Sequence, residues 1–200
     1  DEWVPIKPGT DGALLLALIH ETIARGLYDR EFLARYTNAG QLVNQDAASD
    51  DFGMMLRNAA GDKVNPLRPH NFWWWDRLTK TAVADHSAGA DPALLGHFEL
   101  PDGTPGVPAF QLLADRVKAY TPEWAEGITG IPAGTIRRLA HEMGITARDQ
   151  RIELPIAWTD WWGKEHKSVK GNPVAFHAMR GLAAHSNGFQ SIRALAILMS

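Results

Sequence analysis

At 200 residues, 45% hydrophobic and 22% charged, the chain can bury a sizeable core and reads as one globular domain or one and a half. Its net charge of −3 gives no reason to expect nucleic acid or an anionic membrane surface as a partner. The absence of cysteine excludes disulfides, thiolate-bound metals and a cysteine nucleophile within these residues, and no apolar run approaches the ~20 residues of a membrane helix.

The chain opens on Asp-Glu-Trp3 without a secretory or twin-arginine signal. Val4-Pro5-Ile6-Lys7 is an apolar, strand-like end that turns through Pro8 and Gly9. It delivers the Thr10 hydroxyl and the Asp11 carboxylate to the first turn of a helix expected over 12–25. There Leu15, Leu18, Ile19, Thr22 and Ile23 fall at helical spacing, and Glu21 with Arg25 makes an i,i+4 pair expected on the opposite face. Gly26 ends this helix, and Asp29 caps a second one over Arg30–Tyr36. From Thr37 to about Pro108 the periodicity dissolves into Gly-, Pro-, Asn- and Asp-rich sequence with short strand-like pieces. An irregular span of ~70 residues reads as a functional insertion or interface element, placed at about 38–108.

Order returns with a helix from Phe110 to near Tyr120. A short one follows, with Thr121 as its cap and Pro122 at its first position, and a third runs from Ile131 to about Thr146. Arg151–Ala157 alternates as a strand, Trp158–Trp162 is a bulky loop, and Val174–Met179 is an apolar strand. Arg180–Asn187 is a glycine-bearing polar turn, and Gly188–Met199 begins a helix. There are no internal repeats. A strand–turn–helix at the first residue and a helix still running at Ser200 both read as a piece of a larger protein.

Two turns carry chemistry. Gly9-Thr10-Asp11 suits a nucleotide head group beyond a strand end, because a helix N-terminus offers free N–H groups and glycine lets the backbone approach. The plainer reading is that Thr10 or Asp11 caps the helix, worth ~1 kcal/mol. The second turn places His185, Ser186 and Asn187 at the start of the last helix, an anion-favouring position, with Arg180 able to pair bidentately with oxyanions. Here the plainer reading is Ser186 or Asn187 as cap and Arg180 as a surface charge. Trp73-Trp74-Trp75 with Arg68, His70 and Asp76 can line a funnel, contact a partner protein, or anchor the insertion. Trp158–Trp162 with Lys164, His166 and Lys167 has the same alternatives, and His20, His86, His97 and His141 read as structural or exposed. None of the eight histidines pairs at zinc spacing.

Three segments, in this order, resemble the catalytic subunit of molybdenum enzymes of the dimethyl-sulfoxide-reductase family. They are Pro8-Gly9-Thr10-Asp11 with Leu14–His20 and Gly26-Leu-Tyr-Asp-Arg-Glu-Phe32; Tyr120-Thr-Pro-Glu-Trp-Ala-Glu-Gly-Ile-Thr-Gly-Ile-Pro-Ala-Gly-Thr-Ile-Arg-Arg-Leu-Ala140; and Phe176-His-Ala-Met-Arg-Gly181 with Asn187-Gly-Phe-Gln-Ser-Ile-Arg-Ala-Leu195. His177–Gly181 with His185–Gln190 is most similar to the branch holding sulfite dehydrogenase and the thiosulfate and polysulfide reductases.

The resemblance implies an α/β fold, with a partial Rossmann-like domain over 1–150 whose parallel sheet is flanked by helices. It also implies a strand–turn–helix over 151–200 leading into a neighbouring cofactor domain. The implied cofactor is molybdenum bis(molybdopterin guanine dinucleotide), with a 4Fe-4S cluster and the metal's protein ligand outside these residues. One carboxylate at Asp11 can accept both N1–H and N2–H of guanine. Thr10 would donate to a phosphate or ribose oxygen, and Met179 would lie near the pterin. Arg180 would meet the pyrophosphate or act catalytically on a substrate oxyanion, and Gly181 would give clearance. Implied partners are a small inorganic sulfur substrate, a membrane anchor subunit, and an iron–sulfur electron-transfer subunit. The implied place is a cytoplasmic membrane-associated complex, with the periplasmic face as the alternative. Two rival readings use the same residues: a scaffold domain of this fold that has lost its cofactor, and a free-standing nucleotide-binding module.

Overall fold

The computed structural model describes residues 2–58 and 71–200. In chain order these form α1 (Asp11–Ala24), α2 (Arg30–Tyr36), β1 (Leu42–Asn44), β2 (Trp73–Asp76), β3 (Thr81–Ala84), β4 (Phe98–Glu99) and β5 (Pro105–Pro108). There follow α3 (Ala109–Val117), α4 (Pro122–Thr129), α5 (Ala133–Asp149), β6 (Ile152–Leu154), β7 (Trp158–Thr159), β8 (Glu165–His166), β9 (Val169–Gly171), α6 (Arg180–Ala183) and α7 (Gly188–Met199). They gather into two units, one made of the residues up to Tyr28 together with 117–200, the other of Asp29–Arg116.

In the first unit α1 is the central element, packed by α4, α5 and α7. Its Ala17 and Leu18 join Ala125, Ile131, Ile136 and Ala140 in a buried centre, with Val4, Ile6 and Leu198 laid against it. Burial of a side chain such as Ile136 stabilises this centre by about 2 kcal/mol. Helix α4 starts as its sequence dictates: the Thr121 hydroxyl accepts from Trp124 N–H at 3.3 Å, with Pro122 in the first turn. The Glu21–Arg25 pair forms at 2.6 Å, but Glu21 is buried rather than on an outer face. Arg137 of α5 lies 3.6 Å from the same carboxylate, so two guanidinium groups compensate its desolvation.

The parallel Rossmann-like sheet expected from the resemblance does not form. Every strand pair among the described residues is antiparallel, and the largest sheet has three strands in the order β1-β5-β4. A parallel sheet needs strands joined by helical crossovers and covered on both faces. The two segments expected to supply such strands, before α1 and over Val174–Met179, lie in no ladder. The apolar face of α1 is covered by other helices instead. The fold is therefore a mixture of helices and small antiparallel sheets.

Residues 151–171 make an antiparallel arm in which β6 pairs with β9 and β7 with β8. Its inner tier is tied by Asp160, whose carboxylate accepts from Trp162 N–H, Lys164 N–H and His166 Nε2 at 2.9–3.0 Å. Trp158 stacks on His166 with ring centroids 4.5 Å apart, and its indole N–H donates to Ser168 O. Trp161 and Trp162 at the tip are 93% and 87% exposed.

The second unit gives structure to most of the span that reads as irregular. Strands of two to four residues are too short for a periodicity to emerge, yet they pair into β1-β5-β4 and the β2-β3 hairpin. Asp29 caps α2 by accepting from Phe32 N–H at 2.9 Å. Trp74 is buried within the unit at 3% exposure and Trp75 stacks on Phe98 at 4.6 Å, so the tryptophan run serves packing here. Arg68 and His70, grouped with it in the sequence, lie outside the described residues. Asp76 organises the neighbouring turns: its carboxylate accepts from the N–H groups of Asp91, Leu78 and Thr79 and from the Thr79 hydroxyl. These bonds, that from Asp91 first, outweigh burial and hold its pKa down at about 2.

Candidate functional site

The turn before α1 is closed locally. Thr10 N–H and the Thr10 hydroxyl both donate to Lys7 O, at 3.2 and 2.6 Å, and Gly9 takes the left-handed conformation at φ 77°. Lys7 is itself tied by its N–H to Thr129 O at 3.1 Å. With its proton on Lys7 O, Thr10 faces any ligand as an acceptor, not as the donor expected from sequence. Thr10 holds the N-cap position but makes no side-chain cap bond, so the plain capping role does not appear. Asp11 is half-buried in the first helical turn, where its charge also suits the helix dipole. No hydrogen bond or ion pair to its carboxylate occurs among the described residues.

The second turn meets the first across 178 positions of sequence. Asn187 Nδ2 donates to Gly9 O at 3.1 Å. The His185 ring covers the same residue, its Nδ1 3.4 Å from where a Gly9 Cβ would stand. One turn further, the Ser191 hydroxyl donates to Asn187 O at 3.3 Å and lies 3.0 Å from the corresponding point on Gly12. The first turns of α1 and α7 are thereby joined, and each leaves early N–H groups without an intrahelical acceptor. Asn187, like Thr10, makes no side-chain cap bond.

Met179, Arg180 and Gly181 are exposed on the short helix α6 and its cap position. No hydrogen bond or ion pair joins them to the Gly9–Asp11 turn among the described residues. Ser186 is exposed in the 185–187 turn. The end of α6 presses on the start of α7 so closely that a Cβ on Gly188 would stand 2.5 Å from the Ala183 carbonyl carbon. His20 Nδ1 lies 2.9 Å from Val117 O, while His86, His97 and His141 are exposed.

Sequence reasoning missed Ser191 and the Lys7 carbonyl. A signal for Ser191 exists: Gly188, Ser191, Ala194 and Leu195 recur at helical spacing and are the buried face of α7. Nothing local marks Lys7 O, because backbone acceptors carry no side-chain signature.

The first turns of α1 and α7 thus meet at a left-handed glycine, with the Asp11 carboxylate beside it. The chain is 63% identical over all its 200 residues to a sulfite dehydrogenase subunit of Allochromatium vinosum, covering 21% of that protein. It is 33% identical over 148 residues to the alpha subunit of dimethylsulfide dehydrogenase from Rhodovulum sulfidophilum, matching 68% of this chain and 15% of the relative. It is also 27% identical over 198 residues to dimethyl sulfoxide reductase DmsA of Escherichia coli, matching 99% of this chain and 15% of the relative. No family model matches. The chain belongs to the dimethyl-sulfoxide-reductase family of molybdopterin oxidoreductase subunits, and it spans about one fifth of the length of its 63%-identical relative.

Proposed function

We propose that this chain is part of the catalytic subunit of a molybdenum oxidoreductase acting on an inorganic sulfur compound, sulfite foremost, and that the α1–α7 junction receives a guanine dinucleotide arm of its cofactor. The observation that supports this reading is the Asn187–Gly9 bond. It joins the two turns that the sequence singled out separately, in a chain 63% identical to a sulfite dehydrogenase subunit.

The residues fit such a group. The Asp11 carboxylate has two oxygens to accept the adjacent N1–H and N2–H of guanine, a pattern adenine does not present. First-turn N–H groups of α1 and α7 and the Arg180 guanidinium are donors for phosphate oxygens. When bound, the molybdenum centre supplies the two-electron redox chemistry, while the chain contributes binding, orientation and electrostatics. Arg180 is the residue we assign to an oxyanion, of the cofactor or of the substrate. The complex we propose adds a 4Fe-4S cluster, a membrane anchor and an iron–sulfur electron-transfer subunit, on the cytoplasmic side of the membrane.

The test is Asp11→Ala in the full-length protein, reading guanine nucleotide released on acid hydrolysis and molybdenum per chain. We expect both to fall severalfold with the fold intact by circular dichroism. Unchanged guanine and molybdenum would overturn the assignment.

A further inference from the structure

Sequence reasoning placed His185 and Asn187 among the groups touching the cofactor. The geometry points to a different task, and we infer that Asn187, backed by His185, is a positioning residue that clamps the Gly9-Thr10-Asp11 turn into its ligand-receiving shape. This rests on the proposed function above, since it concerns how that site is held rather than whether it exists.

Four observations carry the inference. One of the two Asn187 amide N–H groups is committed to Gly9 O, which ties the side chain to that turn. Gly9 O is the carbonyl of a left-handed residue, and it shares a planar peptide with Thr10 N–H, which donates to Lys7 O at the other edge. The peptide linking Gly9 to Thr10 is thus held from both edges, by Lys7 O on its N–H and by Asn187 on its C=O. The His185 ring stands on the side of the same glycine where a Cβ would project, its Nδ1 3.4 Å from that point. Asn187 is in turn set by its own backbone, whose carbonyl accepts from Ser191 N–H at 3.0 Å and from the Ser191 hydroxyl. The chain of contacts runs from the buried Ser191 through Asn187 to Gly9, and ends at the residue beside Asp11. Releasing it frees the turn while leaving every group that faces the ligand in place.

The test uses Asn187→Asp and Asn187→Ala in the full-length protein. Aspartate keeps the shape but removes the donor, and it sets a carboxylate oxygen against the Gly9 carbonyl. Two readouts are taken together: hydrogen exchange of the Thr10–Ala13 amides, and guanine and molybdenum per chain. We expect exchange in that turn to accelerate tenfold or more, occupancy to fall threefold or more, and the rest of α1 and α5 to keep its protection. Unchanged exchange with full occupancy overturns the clamp. Lower occupancy with unchanged exchange also overturns it, because Asn187 would then touch the cofactor itself. Asn187 is exposed and buries little; if the alanine variant fails to accumulate, the isosteric aspartate carries both measurements. Asp11→Ala, run alongside, separates the two proposals. If it leaves occupancy intact, the cofactor assignment fails. If it empties the site while the Asn187 variants behave as wild type, only the clamp fails.

Discussion

Gly188→Ala sets helix propensity against steric fit. Alanine is the better helix former by up to about 1 kcal/mol, so propensity alone makes the variant more stable. The structure gives the opposite sign. An added methyl at this position would stand 2.5 Å from the carbonyl carbon and 2.9 Å from the Cα of Ala183, where ordinary contact begins near 3.4 Å. Both atoms are backbone at the end of α6, so no rotamer change relieves the clash. The end of α6 and the start of α7 must part by about 1 Å, a form of overpacking that costs roughly 1–3 kcal/mol. After the propensity gain is subtracted, a net loss of up to about 2 kcal/mol remains. Asn187 immediately precedes the displaced residue, so the same shift lengthens its 3.1 Å bond to Gly9. Native-state hydrogen exchange across α7 measures the stability change, and exchange at Thr10–Ala13 measures the transmitted one. If Gly188→Ala protects α7 as well as glycine does, or better, the close approach inferred from the backbone is wrong.

Asp76→Asn keeps the shape of the turn hub but loses the charge and one acceptor, and should destabilise the Asp29–Arg116 unit by about 2 kcal/mol in urea at neutral pH. The native pKa of Asp76, about 2, lies below its ordinary 3.8. Its contribution is therefore complete above the unfolded value and is lost as pH falls through the native one. The difference between wild type and Asp76→Asn should shrink steadily below about pH 4, and a gap independent of pH would contradict the assigned role. Ile136→Ala removes a fully buried side chain from the centre beneath α1. A loss of about 2–5 kcal/mol is expected by thermal or chemical denaturation, and a loss below about 1 kcal/mol would mean that this centre is not closely packed.

Much of the fold was legible from local chemistry. Asp29, Thr121 with Pro122, and the apolar spacing of α1 and α7 mark helices by interactions within a few residues, which one-dimensional reading captures. The sheets were not legible: strands of two to four residues carry too little periodicity, and antiparallel or parallel pairing is a property of the partner. The same distinction explains Glu21. Its pairing with Arg25 is an i,i+4 matter, whereas its burial depends on Arg137 of a helix more than a hundred residues away.

The candidate site divides in the same way. The sequence alone marked Gly9-Thr10-Asp11 and His185–Asn187 as turns opening helices, because glycine admits left-handed backbone and short polar side chains can bond nearby backbone groups. Only the tertiary structure decided that the two turns are one place, that the Asn187 amide reaches the Gly9 carbonyl rather than capping its helix, and that Ser191 belongs with them. Each of those outcomes is a choice among several acceptors of similar strength. Packing of α1 against α7, not local propensity, selects the Asn187–Gly9 bond.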